Sequence, residues 1–254
     1  MVKILIYIMK RFSLVLILSA ISAFAFSQNF KYEWSRVAMD TTYNGNGTSK
    51  VEKIIQKHYP QIEPLMEIIC YSEGEMSRDG VESGLTNVAA DMLLSKAKQF
   101  IKNDYPTMSI TNYGGIRADF PKGAVRLYDI VSTFPFNNKI VIAEIKGEDL
   151  YKILSRFAKR LKFEAIGGIK IEVSNGVITK CEIGGKPFDK KAMYNIATID
   201  FLLSGGDSMN IAKNAVKVIN TDVLLRDAAE EYLRDLNSKK IKLSPYGDGR
   251  IIIK

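Results

Sequence analysis

The feature that most restricts how this chain can fold is a pair of alternating segments, residues 170–174 and 177–183, joined by Asn175-Gly176. Asn-Gly between two such runs suits the left-handed tight turn of a β-hairpin. Around the hairpin, strand-like and helix-like segments follow one another in mixed order. Strands are expected near residues 65–71, 108–111, 124–127, 139–145, 194–198, 216–220 and 250–253. Helical spacing is clearest over 86–102, where Val88, Ala89, Met92, Leu93, Ala97 and Ile101 form one stripe and Thr86 and Asn87 are natural caps. Further helices are expected over 147–159, over 222–236 with Asp222 as cap, and from Thr48 or Ser49 onward. The last carries Val51, Ile54, Ile55 and His58 at helical spacing, with Pro60 and Pro64 placed to kink or end it. This order predicts an α+β fold: a single domain with a mixed β-sheet and flanking helices, not a doubly wound parallel sheet.

The first residues read as a targeting segment. Lys3, Lys10 and Arg11 precede an apolar run from Phe12 to Phe26, interrupted only by Ser13, Ser19 and Ser22. Those 15 residues fall short of the roughly 20 needed to cross a bilayer. Ser22-Ala-Phe-Ala25 and Ser27-Gln28 offer small residues for cleavage. The expectation is a signal peptide over 1–27, with an uncleaved N-terminal helix as the alternative. It implies a periplasmic or secreted protein with no membrane span after cleavage. Residues 28–48, ending in Asn44-Gly-Asn-Gly-Thr48, read as a polar lead-in to a domain over 49–254.

Losing the targeting segment removes three basic residues and no acid, so the formal charge falls from +8 to +5. A modest positive excess suits an anionic small molecule. No basic-aromatic stripe of a polyanion binder is present, and nucleic acid is not an expected partner. Cys70 and Cys181 lie in apolar, strand-like contexts. An oxidising compartment would permit a disulfide, but two small buried hydrophobes is the preferred reading. With His58 they are too few for a zinc site of the usual Cys/His type.

Three segments carry polar chemistry. Asn112-Tyr-Gly-Gly-Ile-Arg117 sets an amide and a guanidinium on either side of Gly114-Gly115, a turn that lets backbone approach a ligand. Read alone, it is also compatible with an ordinary glycine turn and a solvated arginine. It is no phosphate-binding P-loop, because no Gly-Lys-Ser/Thr follows. Pro135-Phe136-Asn137-Asn138 puts an aromatic in a loop, able to stack on a nucleobase or to fold back on the core. Phe201-Leu-Leu-Ser-Gly-Gly-Asp207 lets Gly205-Gly206 turn Asp207 toward the side of Phe201, unless the glycines merely cap a helix.

In this order the segments resemble the C-terminal, nucleotide-binding domain of 5'-nucleotidases and UDP-sugar hydrolases. The match runs from about Ile68 to the end. The resemblance implies that Phe136 and Phe201 sandwich a base and that Asp207 binds ribose. It implies that Asn112 and Arg117 contact the nucleotide near its phosphate or sugar. It makes Arg78, ahead of the first long helix, a further ligand contact and Glu82 the acidic residue beside that helix. Tyr113 stands where the family commonly has a small residue. The metal-binding half of such enzymes brings Asp-x-His, Gly-Asn-His-Glu/Asp and Gly-His-x-His segments, and none occurs in this sequence. The expected partners are therefore a nucleotide or nucleoside and a separate metallophosphoesterase chain. The expectation is no catalytic or metal-binding residue and no cofactor in this chain, with divalent metals in the partner. The alternative is a stand-alone nucleoside- or nucleotide-binding module.

Overall fold

A computed structural model describes residues 50–254. The expected signal peptide, 1–27, and the whole lead-in, 28–48, lie outside the described residues. Contacts divide the chain into Met1–Lys53 and Ile54–Lys254. Of the first unit, only residues 50–53 are described.

Helix α1 is Lys50–Ile62. It runs through Pro60 in its last turn, at the cost of one backbone hydrogen bond. None of its residues is buried, and Val51, Ile54, Ile55, Tyr59 and Ile62 are exposed. A short 3₁₀ turn, Glu63–Met66, carries Pro64 and leads to β1, Ile68–Ser72. Strand β1 therefore starts three residues later than the apolar pattern suggests.

Helix α2, Gly84–Ala97, is buried on most of its surface. Its cap is Ser83, not Thr86 or Asn87. Ser83 Oγ accepts the Thr86 N–H at 3.2 Å, and Thr86 Oγ1 accepts the Ser83 N–H at 3.0 Å. Strand β2, Thr107–Thr111, follows, then β3, Gly123–Arg126, which pairs with β1 in a two-stranded antiparallel ribbon. Helix α3 is Leu127–Thr133, β4 is Lys139–Lys146 and α4 is Gly147–Arg160. The three-residue strand β5, Ala165–Gly167, has no counterpart in the sequence reading. The hairpin forms as expected, from β6, Ile169–Ser174, and β7, Val177–Ile183, with Asn175 and Gly176 at φ 50° and 75°. Short β8, Lys186–Pro187, extends it, and β9, Met193–Ile199, follows. Helix α5 is only Asp200–Leu203. Strand β10, Ala215–Leu224, is longer than expected and takes in Asp222. Asp222 is therefore not the cap of α6, Leu225–Ser238. Its carboxylate accepts from Lys139 Nζ at 2.9 Å, which holds it below the ordinary carboxyl range. Strand β11, Ile251–Ile253, closes the chain beside β6.

The described residues thus form eleven strands in three sheets, with six α-helices. The largest sheet has the order β10-β4-β9-β2-β5. Only β2 and β9 run parallel; the other neighbours are antiparallel. This mixed sheet is the α+β arrangement read from the sequence. Helix α2 packs on β2 and β5 and against α6, while α4 lies against β4, β7 and β9. One continuous apolar core joins them. Cys70 is buried in β1 and Cys181 partly buried in β7; both are free thiols, in different sheets.

Strand direction explains where the polar motifs meet. Because β2 and β9 are parallel, their C-terminal ends share one edge of the sheet. Antiparallel pairing brings the start of β4 there, with Ile140 opposite Ile199, and the start of β5, with Ala165 opposite Thr111. The end of β10 arrives with Leu224 opposite Lys139. Segments far apart in sequence are thereby gathered along one edge.

Candidate functional site

Each motif continues a strand at that edge. Asn112 follows β2, Phe136 and its neighbours precede β4, and the Phe201–Asp207 segment follows β9. Thr198 ties β9 to β2 through its Oγ1, which donates to Ile110 O at 2.9 Å.

Asn112 is buried, with 6% of its surface exposed. Its Nδ2 donates to Asp207 Oδ2 at 3.0 Å, across 95 residues of sequence. Its Oδ1 is buried without a hydrogen-bond partner. That oxygen lies against Gly115, where a Cβ would collide with it. Gly115 is thus a steric requirement of the asparagine. Gly114 is not, since a Cβ there would stand 3.7 Å from its nearest neighbour, an ordinary contact.

The loop that presents Asp207 is strained. Gly205 has φ 110°, and the non-glycine residues Asp207 and Ser208 have φ 49° and 61°. Such backbone persists only where its surroundings enforce it. The Asn112 amide is one restraint, and Arg156 Nη1, which donates to Ser208 O at 3.0 Å, is another. Gly206 carries the Phe201 ring, because a Cβ there would come within 2.5–2.6 Å of three ring carbons. Phe201, in helix α5, and Phe136, in the loop before β4, are 44% and 45% exposed.

The glycine turn is held from below and behind. Arg78 Nη1 donates to Tyr113 O at 3.0 Å and Ile116 O at 2.6 Å, and its guanidinium lies 4.6 Å from the centre of the Tyr113 ring. Lys162 Nζ lies 5.5 Å from the same ring. Glu164, just before β5, accepts the Tyr113 N–H at 2.7 Å, and the Tyr113 hydroxyl donates to Asp79 at 3.4 Å. Arg117 donates its backbone N–H to Thr133 O at 2.9 Å and Nη1 to Gly114 O at 3.3 Å. Its guanidinium lies over the Phe136 ring, 5.5 Å from the centroid.

The structure therefore links Asn112 and Gly115 with Asp207, Arg117 with Gly114 and Phe136, Phe201 with Gly206, and Arg78 with the turn itself. Glu82 is engaged elsewhere. Its carboxylate accepts from the backbone of Asp248, Gly249 and Ile251 and from Asn87 Nδ2, which holds the C-terminal segment to the start of α2. His58 lies exposed on α1, 3.4 Å from Gln61 Oε1. Sequence reading missed Glu164, Lys162 and Arg156. All three belong to the turn between α4 and β5 or its approach, and no local pattern ties a surface charge there to a loop 50 residues away.

The edge offers a carboxylate, a buried amide, two half-exposed aromatic rings and an exposed guanidinium. Those groups match the parts of a nucleotide: flat base, vicinal hydroxyls and anion. Residues 68–214 match the family model described as 5'-nucleotidase, C-terminal domain, and the chain belongs to that family. It is 27% identical over 185 residues to the trifunctional nucleotide phosphoesterase protein YfkN of Bacillus subtilis, covering 67% of this chain and 12% of that protein. It is 26% identical over 165 residues to the protein UshA of Yersinia enterocolitica, covering 63% of this chain and 29% of that one. The 5'-nucleotidase precursor of Thermus thermophilus shares the fold with a TM-score of 0.68 at 21% identity, over 80% of this chain and 42% of its own. The chain thus spans between 12% and 42% of the length of these proteins. Among the described residues, no helix is long and apolar enough to cross a membrane.

Proposed function

We propose that this chain is the nucleotide-recognition part of a split, secreted 5'-nucleotidase, whose metal chemistry comes from a separate metallophosphoesterase chain. One observation carries the reading: the Asn112–Asp207 pair, Phe136, Phe201 and Arg117 gather along one sheet edge from segments up to 95 residues apart. Membership of the 5'-nucleotidase C-terminal-domain family supports the recognition role. The apolar N-terminal run supports export to the periplasm or beyond.

In this reading, Phe136 and Phe201 flank the base. Asp207 accepts from the ribose hydroxyls through the oxygen that Asn112 leaves free, and Arg117 meets the phosphate. Arg78 fixes the glycine turn and acts on the ligand through it. The partner supplies divalent metals that activate water and stabilise the leaving oxygen. This chain's contribution is position, since holding base and ribose sets the phosphate against the activated water.

The test is a rate comparison with one partner preparation. Adding this chain should raise hydrolysis of a nucleoside 5'-monophosphate and leave p-nitrophenyl phosphate, which lacks base and ribose, little changed. Asp207→Ala should remove most of the nucleotide gain, on the order of tenfold in kcat/KM. A nucleotide rate that this chain does not alter, at concentrations where it binds nucleotide, would reject the split enzyme in favour of a stand-alone binding module.

A further inference from the structure

Between α5 and β10 the backbone holds a conformation that its residues do not favour. Asp207 and Ser208 are consecutive non-glycine residues at φ 49° and 61°. On left-handed backbone a Cβ crowds the following carbonyl oxygen, so two such residues in a row need support from their surroundings. The loop's own turn gives one bond, from the Met209 N–H to Gly206 O at 2.9 Å. Two more come from distant parts of the fold. Asn112 Nδ2 donates to the Asp207 carboxylate at 3.0 Å, and Arg156 Nη1 donates to Ser208 O at 3.0 Å.

These two restraints act on different parts of the loop. Asn112 holds the end of the Asp207 side chain, whereas Arg156 holds the backbone that follows it. Arg156 stands on a firm base, because its neighbours Leu154 and Phe157 bury α4 in the core. Its guanidinium is exposed, and among the described residues no carboxylate pairs with it. A cationic donor on a carbonyl makes a charge-assisted bond, stronger than one between neutral groups. The partner it takes is the carbonyl of a left-handed residue next to Asp207, 52 residues away in sequence.

We propose that Arg156 is a positioning residue for ribose recognition. By holding Ser208 O it keeps residues 207–208 left-handed, and that backbone aims the Asp207 carboxylate. Arg156 itself touches no part of the ligand. This rests on the assignment of Asp207 to the ribose hydroxyls above. Loss of Arg156 therefore weakens recognition of the hydroxyls and leaves the base and phosphate contacts in place.

The experiment is calorimetric titration of the whole purified chain with AMP and with 2',3'-dideoxy-AMP, which lacks both hydroxyls. Wild type is compared with Arg156→Ala, Arg156→Lys and the double variant Arg156→Ala, Ser208→Gly. Wild type should prefer AMP by roughly tenfold or more, the effect of hydrogen bonds to a charged acceptor. Arg156→Ala should lower AMP affinity by about three- to tenfold, the loss of one such bond's influence, and leave the dideoxy ligand within about twofold. Arg156→Lys keeps a cationic donor and should fall between the two. Adding Ser208→Gly to Arg156→Ala should restore part of the AMP preference, because glycine adopts left-handed backbone without a steric cost. An AMP preference unchanged in Arg156→Ala would overturn the proposal. So would equal weakening of both ligands, or a loss that the glycine does not relieve. Wild type that binds the two ligands equally would reject the ribose role of Asp207, and wild type that binds neither would reject the nucleotide reading. Both results are visible before any variant is compared. Thermal unfolding of each variant separates a lost fold from a changed preference, and the lysine variant carries the comparison if the alanine variant does not fold.

Discussion

At the scale of single residues, two adjacent glycines do different work. Gly115 leaves room for the carbonyl oxygen of buried Asn112, whereas Gly114 meets nothing closer than ordinary contact. Gly115→Ala should therefore cost about 1–3 kcal/mol, the range for forcing extra volume into a packed site. Gly114→Ala should stay within about 0.5 kcal/mol. Urea unfolding midpoints check both, and equal shifts for the two variants would contradict the assignment. The sequence shows the glycine pair but not this asymmetry, because it depends on the rotamer of Asn112, set by Asp207 far along the chain. The residue types of the site were legible, since Asn112, Arg117, Phe136 and Asp207 stand in motifs. Their mutual contacts were not. The Arg117–Phe136 and Asn112–Asp207 pairs follow from strand direction at the sheet edge, which no local pattern encodes.

At the scale of elements, helices and the hairpin were readable because their signals are local. Asn175-Gly176 fixes the turn by its left-handed backbone, and the apolar stripe of α2 appears in its spacing. Caps were less readable, because Ser83, Thr86 and Asn87 are all residue types that cap. The structure selects Ser83, whose reciprocal bonds with Thr86 satisfy two backbone donors at the helix start. Ser83→Ala should destabilise the fold by about 1 kcal/mol. Asp222→Ala should leave stability nearly unchanged, because Asp222 lies in a strand and makes only an exposed ion pair with Lys139. Denaturant titration of the two variants decides the matter; a cost at Asp222 equal to that at Ser83 would restore it as a cap. Asp222 was misread because pairing of Leu224 with Lys139 draws the strand onward, a tertiary effect. Strand β5 was missed because three residues are too few for a period.

At the scale of the whole molecule, the C-terminal segment is latched to the start of α2. Glu82 accepts three backbone N–H groups from it, and buried Arg250 pairs with Asp91 at 2.8 Å and Asp248 at 2.7 Å. The hydrogen bond from Arg250 is the largest influence on Asp248 and lowers its pKa below the ordinary value, against a smaller rise from burial. A carboxyl with a depressed folded pKa contributes stability above its unfolded pKa of about 3.9, and that contribution is lost as pH falls through the folded value. Asp248→Asn should therefore lower the thermal midpoint at pH 7, and its difference from wild type should shrink as pH falls from about 5 toward 3. A pH-independent difference would show that the ion pair is not the source.

The order β10-β4-β9-β2-β5 was beyond sequence reading, yet it gathers the site. The central claim is that this edge recognises nucleotide through Phe201 and Asp207 together. Calorimetric titration of AMP into wild type, Phe201→Ala and Asp207→Ala tests it most directly. The expected result is one site per wild-type chain, with Phe201→Ala weaker by about 1–3 kcal/mol, the loss of one base-stacking ring. Asp207→Ala should also be weaker, through loss of the ribose contacts. Equal affinity for all three proteins, or no binding to wild type, would contradict the account.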